Sequence, residues 1–139
     1  MKVSSRNRKK DGALSLGRAG KTVPTMPRSV LVVDDDPTVL AVLTDMLEEL
    51  GCVVISATSG HDALNQLKQN DQISILITDI NMTGMDGHEL AHLATRSRPE
   101  LKVLQLSGRE PRRGGFPMIR KPFTEEDLLD TMRRTTGLC

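Results

Sequence analysis

Apolar and polar positions alternate along this chain in blocks whose period changes from two or continuous to about three and a half. Val30-Leu31-Val32-Val33 is a continuous apolar run that ends on Asp34-Asp35-Asp36. Runs of this kind, bounded by turn residues, mark strands buried on both faces. Asp36-Pro37 then reads as a helix start, with Asp as cap and Pro at the first helical position. Val39, Val42, Leu43, Met46, Leu47 and Leu50 follow at helical spacing, and Gly51 closes the helix. Val53-Val54-Ile55 predicts a second strand, and Ser59 opens a helix bearing Ala63, Leu64 and Leu67 on one side. Ile73 to Thr78 forms another apolar run, again ending on a carboxylate, Asp79. Asp86-Gly87-His88-Glu89 resembles a capping box and predicts a helix to about Arg96. Leu101 to Leu106 predicts a fourth strand closing at Ser107-Gly108, and Pro117 to Ile119 a short fifth one. Thr124 to Asp127 caps a last helix carrying Leu128, Leu129 and Met132. Strands alternating with helices imply α/β architecture: a doubly wound, five-stranded parallel sheet with helices on both faces.

The carboxylates change the picture from a fold to a site. Ligands of open parallel sheets bind at the carboxyl ends of the strands, where Asp34, Asp35 and Asp79 would gather. Two like charges about 4 Å apart near a surface cost roughly 4 kcal/mol. Such a cluster calls for a cation, for protons or for a lysine. Ser107 and Lys121 stand at or just past the ends of the fourth and fifth strands, where a hydroxyl and an ammonium could hold phosphoryl oxygens. Hard carboxylate oxygens suit Mg²⁺, and an aspartate can act as a nucleophile toward phosphorus.

Charge is unevenly spread. Residues 1 to 28 carry a net +7 and the remainder −6, within a total of +1. A basic tail over 1–28, without periodicity, therefore precedes one acidic domain over 29–139. A solvated tail is the simpler expectation and an electrostatic contact the sharper one; the tail has no aromatic residue to stack bases, which disfavours nucleic acid as partner. No apolar stretch approaches the length of a membrane span, and no signal peptide is visible. The two cysteines, Cys52 and Cys139, cannot make a disulfide framework. They read as a core residue and a chain end, in a reducing cytoplasmic setting.

The motifs VLVVDDDP, ILITDINMTGMDG, LQLSG and KPF, in that order, resemble the receiver domain of two-component response regulators over roughly Ser29 to Gly137. The resemblance implies the flavodoxin-like strand order 2-1-3-4-5. It implies that Asp79 is the phosphoacceptor and, with Asp34, Asp35 and Asn81, part of the metal site, and that Asp35 binds Mg²⁺ directly. Asp34 would act mainly through a metal-bound water, and Asn81 would supply its backbone carbonyl. Ser107 corresponds to the hydroxyl that moves to the phosphoryl group, and Lys121 to the lysine that pairs with it, followed by a cis-proline, here Pro122. The implied partners are a histidine kinase or histidine phosphotransfer protein and a downstream protein target. The implied role is a phosphorelay switch that promotes its own phosphorylation and dephosphorylation, without being a metabolic enzyme.

Three departures qualify this. Thr83 stands where the family usually has Pro. Only fourteen positions separate Ser107 from Lys121, so the family's helix 4, between the fourth and fifth strands, is expected to be shortened or absent. Met118 occupies the position of the family's switch aromatic, a departure from the usual relay; the shortened form is similar to receivers of hybrid kinases and some stand-alone receivers. No output domain is expected after Cys139, nor direct transcriptional control. Two other functions compete: a receiver-like interaction module that takes no phosphate, and a Mg²⁺-dependent aspartyl-phosphate phosphatase, which would want a D-x-D motif and a cap. His88-Glu89-Leu90-Ala91-His92 matches the zinc-protease pattern, but both histidines are expected to face solvent, and His61 likewise. Arg112 and Arg113 read as a solvated loop that could approach a phosphate, and Asp36 as a helix cap.

Overall fold

The computed structural model describes residues 29–108 and 115–136. The elements run β1 (Ser29–Val33), α1 (Pro37–Glu49), β2 (Val53–Ala57), α2 (Gly60–Gln69), β3 (Ile73–Asp79), α3 (Gly87–Ser97), β4 (Lys102–Ser107), β5 (Met118–Arg120) and α4 (Glu125–Thr136). The five strands are parallel and lie in the order β2-β1-β3-β4-β5. No helix separates β4 from β5 among the described residues, in line with the short spacing, and residues 109–114 lie outside them.

Caps set where the helices begin. The Asp36 side chain accepts from Thr38 N–H, Ser59 from Asp62 N–H and Asp86 from Glu89 N–H. Thr124 and Asp127 exchange reciprocal bonds, Asp127 N–H to Thr124 Oγ1 and Thr124 N–H to Asp127 Oδ2. Each satisfies donors that a helix start leaves orphaned.

The sheet has a core on each face. Leu40, Leu43 and Leu47 of α1 and Leu128 and Met132 of α4 pack with Val30, Val32, Ile75, Ile77, Leu104 and Leu106. On the opposite face Ala63 and Leu67 of α2 and Leu90, Ala91 and Ala94 of α3 pack with Leu31, Val33, Leu76 and Val103. Each fully buried leucine contributes about 2 kcal/mol. The central strands β1 and β3 are buried almost throughout, whereas β2 and β5 are partly exposed edges.

Three local expectations are corrected. Val42 is 46% exposed, and Leu40 takes its place inside, because the buried stripe of α1 runs through Leu40, Leu43 and Leu47. His88 is buried rather than solvated. The inward stripe of α3 includes Gly87, His88, Leu90, Ala91 and Ala94, and the Gln105 amide beneath offers the ring Nδ1 a partner at 3.3 Å. Cys52 is buried as expected but is disulfide-bonded. Cys139 lies outside the described residues, as do the basic tail, Arg112 and Arg113. His61 and His92 are exposed as expected. No helix of the described residues is long and apolar enough to cross a membrane.

Candidate functional site

The order in which strands are added reverses at β1: β2 lies to one side and β3 to the other. The helices that leave β1 and β3 pack on opposite faces, so a crevice opens between those strand tips. Asp34 and Asp35 follow β1 directly, and Asp79 is the last residue of β3. The sequence thus places the acids at the mouth of that crevice.

Asp34 is buried, and its Oδ1 accepts from Asp36 N–H at 2.9 Å. Asp35 is exposed; its Oδ2 accepts from Thr83 N–H at 3.1 Å and from the Thr83 hydroxyl at 3.3 Å. Asp79 is buried at 5% exposure. One carboxylate oxygen from each of Asp34, Asp35 and Asp79 lies within 4.8 Å of the others. Among the described residues this is the one grouping of three acidic, histidine or cysteine ligand atoms; the H-E-x-x-H stretch makes none. All the donors are hard oxygens, a set suited to a divalent cation such as Mg²⁺.

Lys121 relieves part of the repulsion. Its Nζ lies 3.0 Å from Asp79 Oδ1 and 3.4 Å from Asp34 Oδ2. Burial works to lower its pKa, but the hydrogen bond to Asp79, the charge of Asp79 and then that of Asp34 outweigh it, leaving the pKa above the ordinary 10.5. The lysine is aimed by the backbone: its N–H donates to Ser107 O at 2.7 Å, and the Lys121-Pro122 peptide is cis. Ser107 ends β4 and is fully buried. Its Oγ accepts from Arg120 Nη1 at 3.4 Å, and the same nitrogen donates to Gly108 O at 3.3 Å.

Asn81 is exposed in the turn two residues past Asp79. That turn is pinned by Ile80 N–H to Leu106 O at 3.0 Å and by Gly87 N–H to Ile80 O at 2.9 Å. A Cβ on Gly87 would lie 2.2 Å from Asp79 O and 2.7 Å from Ile80 Cα, so the approach requires glycine.

Of the residues predicted for the site, Asp34, Asp35 and Asp79 share one cluster, and Lys121 joins it through two of them. Ser107 is keyed to Lys121 through the backbone. Two further side chains meet these residues without having been predicted to. Thr83 carried a signal, since threonine has the N–H that proline lacks. Arg120 carried none, because a charged residue beside a strand end is ordinary.

The family described as response regulator receiver domain matches residues 30–133. The chain is 33% identical over 117 residues to the response regulator protein FleR of Pseudomonas aeruginosa, covering 78% of this chain and 24% of FleR. It is 32% identical over 117 residues to the response regulator receiver protein CpdR of Brucella abortus, covering 77% of this chain and 95% of CpdR. The structure of the Vibrio cholerae chemotaxis protein CheY4 superposes with a TM-score of 0.73 at 26% identity, covering 79% of this chain and 99% of that one. Against FleR, then, the chain spans about a quarter of the relative's length.

Proposed function

The chain belongs to the response regulator receiver domain family, and on that premise we propose that it is the phosphoacceptor switch of a two-component phosphorelay, with Asp79 as the residue that takes the phosphoryl group. The observation that carries this reading is the convergence of Asp34, Asp35 and Asp79 within 4.8 Å, with Lys121 bonded to two of them.

The donor is the phosphohistidine of a histidine kinase or phosphotransfer protein. A carboxylate oxygen of Asp79 attacks phosphorus in line; the O–P bond forms as the P–N bond breaks, and the imidazole leaves with its electron pair. Asp34 and Asp35, with the Asn81 carbonyl, would hold Mg²⁺, which supplies charge neutralisation between the acids and the phosphoryl oxygens. Lys121 keeps its ammonium beside Asp79 and pairs with the added negative charge. Ser107 turns its hydroxyl to a phosphoryl oxygen. The new dianion on Asp79 thus pulls on β4 and β5 together, through Ser107 and Lys121, and biases the surface that those strands and α4 present to a downstream protein. Water attacking phosphorus releases phosphate and resets the carboxylate.

Mass spectrometry after incubation with acetyl phosphate and Mg²⁺ tests this. One added phosphoryl group on the wild type, absent from Asp79→Asn, is expected. Equal labelling of both proteins would remove Asp79 from the role. No labelling of either, by this donor or by a phosphorylated histidine phosphotransfer protein, would leave an interaction module.

A further inference from the structure

We propose that Gln105 and His88 are positioning residues of the phosphoacceptor site: their buried contact holds the start of α3 on β4 and so fixes the turn that carries Asn81 and Thr83. This rests on the reading of Asp79 as phosphoacceptor. The turn leaves β3 after Asp79 and enters α3 at Gly87. Backbone bonds close its base, from Ile80 N–H to Leu106 O at 3.0 Å and from Gly87 N–H to Ile80 O at 2.9 Å. One side chain adds to them. Gln105 Nε2 lies 3.4 Å from Gly87 O and 3.3 Å from His88 Nδ1. Gly87 in turn sits so close to Asp79 O that a Cβ there would clash with it. A shift of the α3 start therefore acts directly on the backbone of Asp79.

The partners dictate how the pair is protonated. A backbone carbonyl only accepts, so the amide presents its nitrogen to Gly87 O. That nitrogen carries two protons, one for Gly87 O and one for the histidine ring. His88 Nδ1 then holds the lone pair, and the neutral ring carries its proton on Nε2. The outer atoms of the pair are not satisfied: Gln105 Oε1 and His88 Nε2 are buried with no hydrogen-bond partner among the described residues. Gln105 is fully buried and His88 is 8% exposed, and a buried polar atom without a partner works against folding. The core on this face is built from residues such as Leu90, Ala91 and Val103, so two apolar side chains would suit stability better. What the polar pair adds is direction. Hydrogen bonds fix both the distance and the angle between α3 and β4, which apolar contact leaves less defined. A turn that offers a carbonyl to a cation depends on such support from behind.

The full chain is tested first by ¹⁵N NMR of its imidazole rings at a pH where they are neutral, with His88→Leu identifying the His88 signals. A proton on Nε2 and a bare Nδ1 are expected; the opposite tautomer would place Gln105 Oε1 against the ring and overturn the proposal. Labelling by acetyl phosphate with Mg²⁺ follows. Gln105→Met should be labelled about fivefold more slowly than the wild type, and its His88 should no longer hold a single tautomer. Stability separates positioning from propping. Gln105→Met strands His88 Nδ1 and should melt lower. The double variant Gln105→Met, His88→Leu leaves neither side chain with an unpaired polar atom; it should regain the wild-type melting temperature and yet remain slow. Labelling of either variant at the wild-type rate would overturn the proposal. So would a double variant as unstable as the single one, which would make the pair a structural prop. Absence of label on the wild type itself overturns the phosphoacceptor reading and this inference with it, and is told apart because no variant is involved.

Discussion

Thr83 donates twice into one oxygen of Asp35, from its N–H at 3.1 Å and its hydroxyl at 3.3 Å. The two residues are 48 apart in sequence, and the bonds tie the tip of β1 to the turn after β3 across the mouth of the acid cluster. They hold Oδ2 and leave Oδ1 uncommitted by them, so the carboxylate is oriented before a cation arrives. Thr83→Val keeps the N–H and loses the hydroxyl; Thr83→Pro loses both donors. Calorimetric titration with Mg²⁺ should show affinity falling in the order wild type, Val, Pro, by about threefold for each bond lost. Tighter binding by Thr83→Pro would mean instead that the tie competes with the cation.

Lys121 is the counter-ion of two buried acids, with its side chain 27% exposed against 1% for Asp34 and 8% for Asp79. Removing it leaves those carboxylates facing each other, and Asp35, without a nearby ammonium. Lys121→Met should lower stability by about 2 kcal/mol, less than for a fully buried pair because the lysine is partly wet. Mg²⁺ should then raise the melting temperature of the variant more than that of the wild type, since it replaces the lost charge and binds only the folded state. A variant as stable as the wild type without Mg²⁺ would show that the repulsion is relieved in another way.

What could be read from the sequence is what local pattern encodes. The apolar runs of β1 and β3 ending on acids announced both the strands and the clustering of Asp34, Asp35 and Asp79, and the caps at Asp36, Ser59, Asp86 and Thr124 were legible because a cap is satisfied within three residues. Contacts across the sheet were not. His88 looked solvent-facing because imidazole counts as polar in a helical pattern; its burial depends on Gln105, seventeen residues on. Val42 fitted the helical stripe as well as Leu40 did, and the orientation of α1 on the sheet decided between them. The fifth strand is shifted one residue later than its apolar run, to Met118–Arg120, and that shift puts Arg120 in register with Ser107. The Thr83–Asp35 tie and the Arg120–Ser107 contact join polar residues far apart in the chain, for which no periodicity exists.

The raised pKa of Lys121 makes a statement about alkaline pH. In the unfolded chain the lysine titrates near its ordinary 10.5; in the folded protein it titrates higher. A cation favoured by folding contributes stability that is complete below the unfolded value and is lost as pH rises through the folded one. Denaturant unfolding should therefore show the ion pair intact at about pH 9 and failing above about pH 10.5. Lys121→Arg keeps its charge throughout that range. The stability difference between wild type and Lys121→Arg should move in favour of arginine above pH 10.5, and a constant difference would show that the lysine charge adds nothing to folding.

Gly87 offers a way to disturb the site without touching any of its side chains. It is the first residue of α3, and a methyl group there would meet Asp79 O at 2.2 Å and Ile80 Cα at 2.7 Å. Both obstacles are backbone at the end of β3, so no side chain can swing aside. Either α3 moves away from the sheet, opening the packing of Leu90 and Ala91, or the end of β3 shifts and carries the Asp79 carboxylate with it. Overpacking of this kind costs typically about 1–3 kcal/mol, and backbone obstruction places Gly87→Ala at the upper end. The displacement also acts on the distance from Asp79 to Lys121. The variant should lose stability in denaturant unfolding and should also be labelled more slowly by acetyl phosphate under conditions where it remains folded. Full stability in Gly87→Ala would mean that α3 accommodates the methyl group without strain, and unimpaired labelling would mean that β3 keeps Asp79 in place while the helix alone yields.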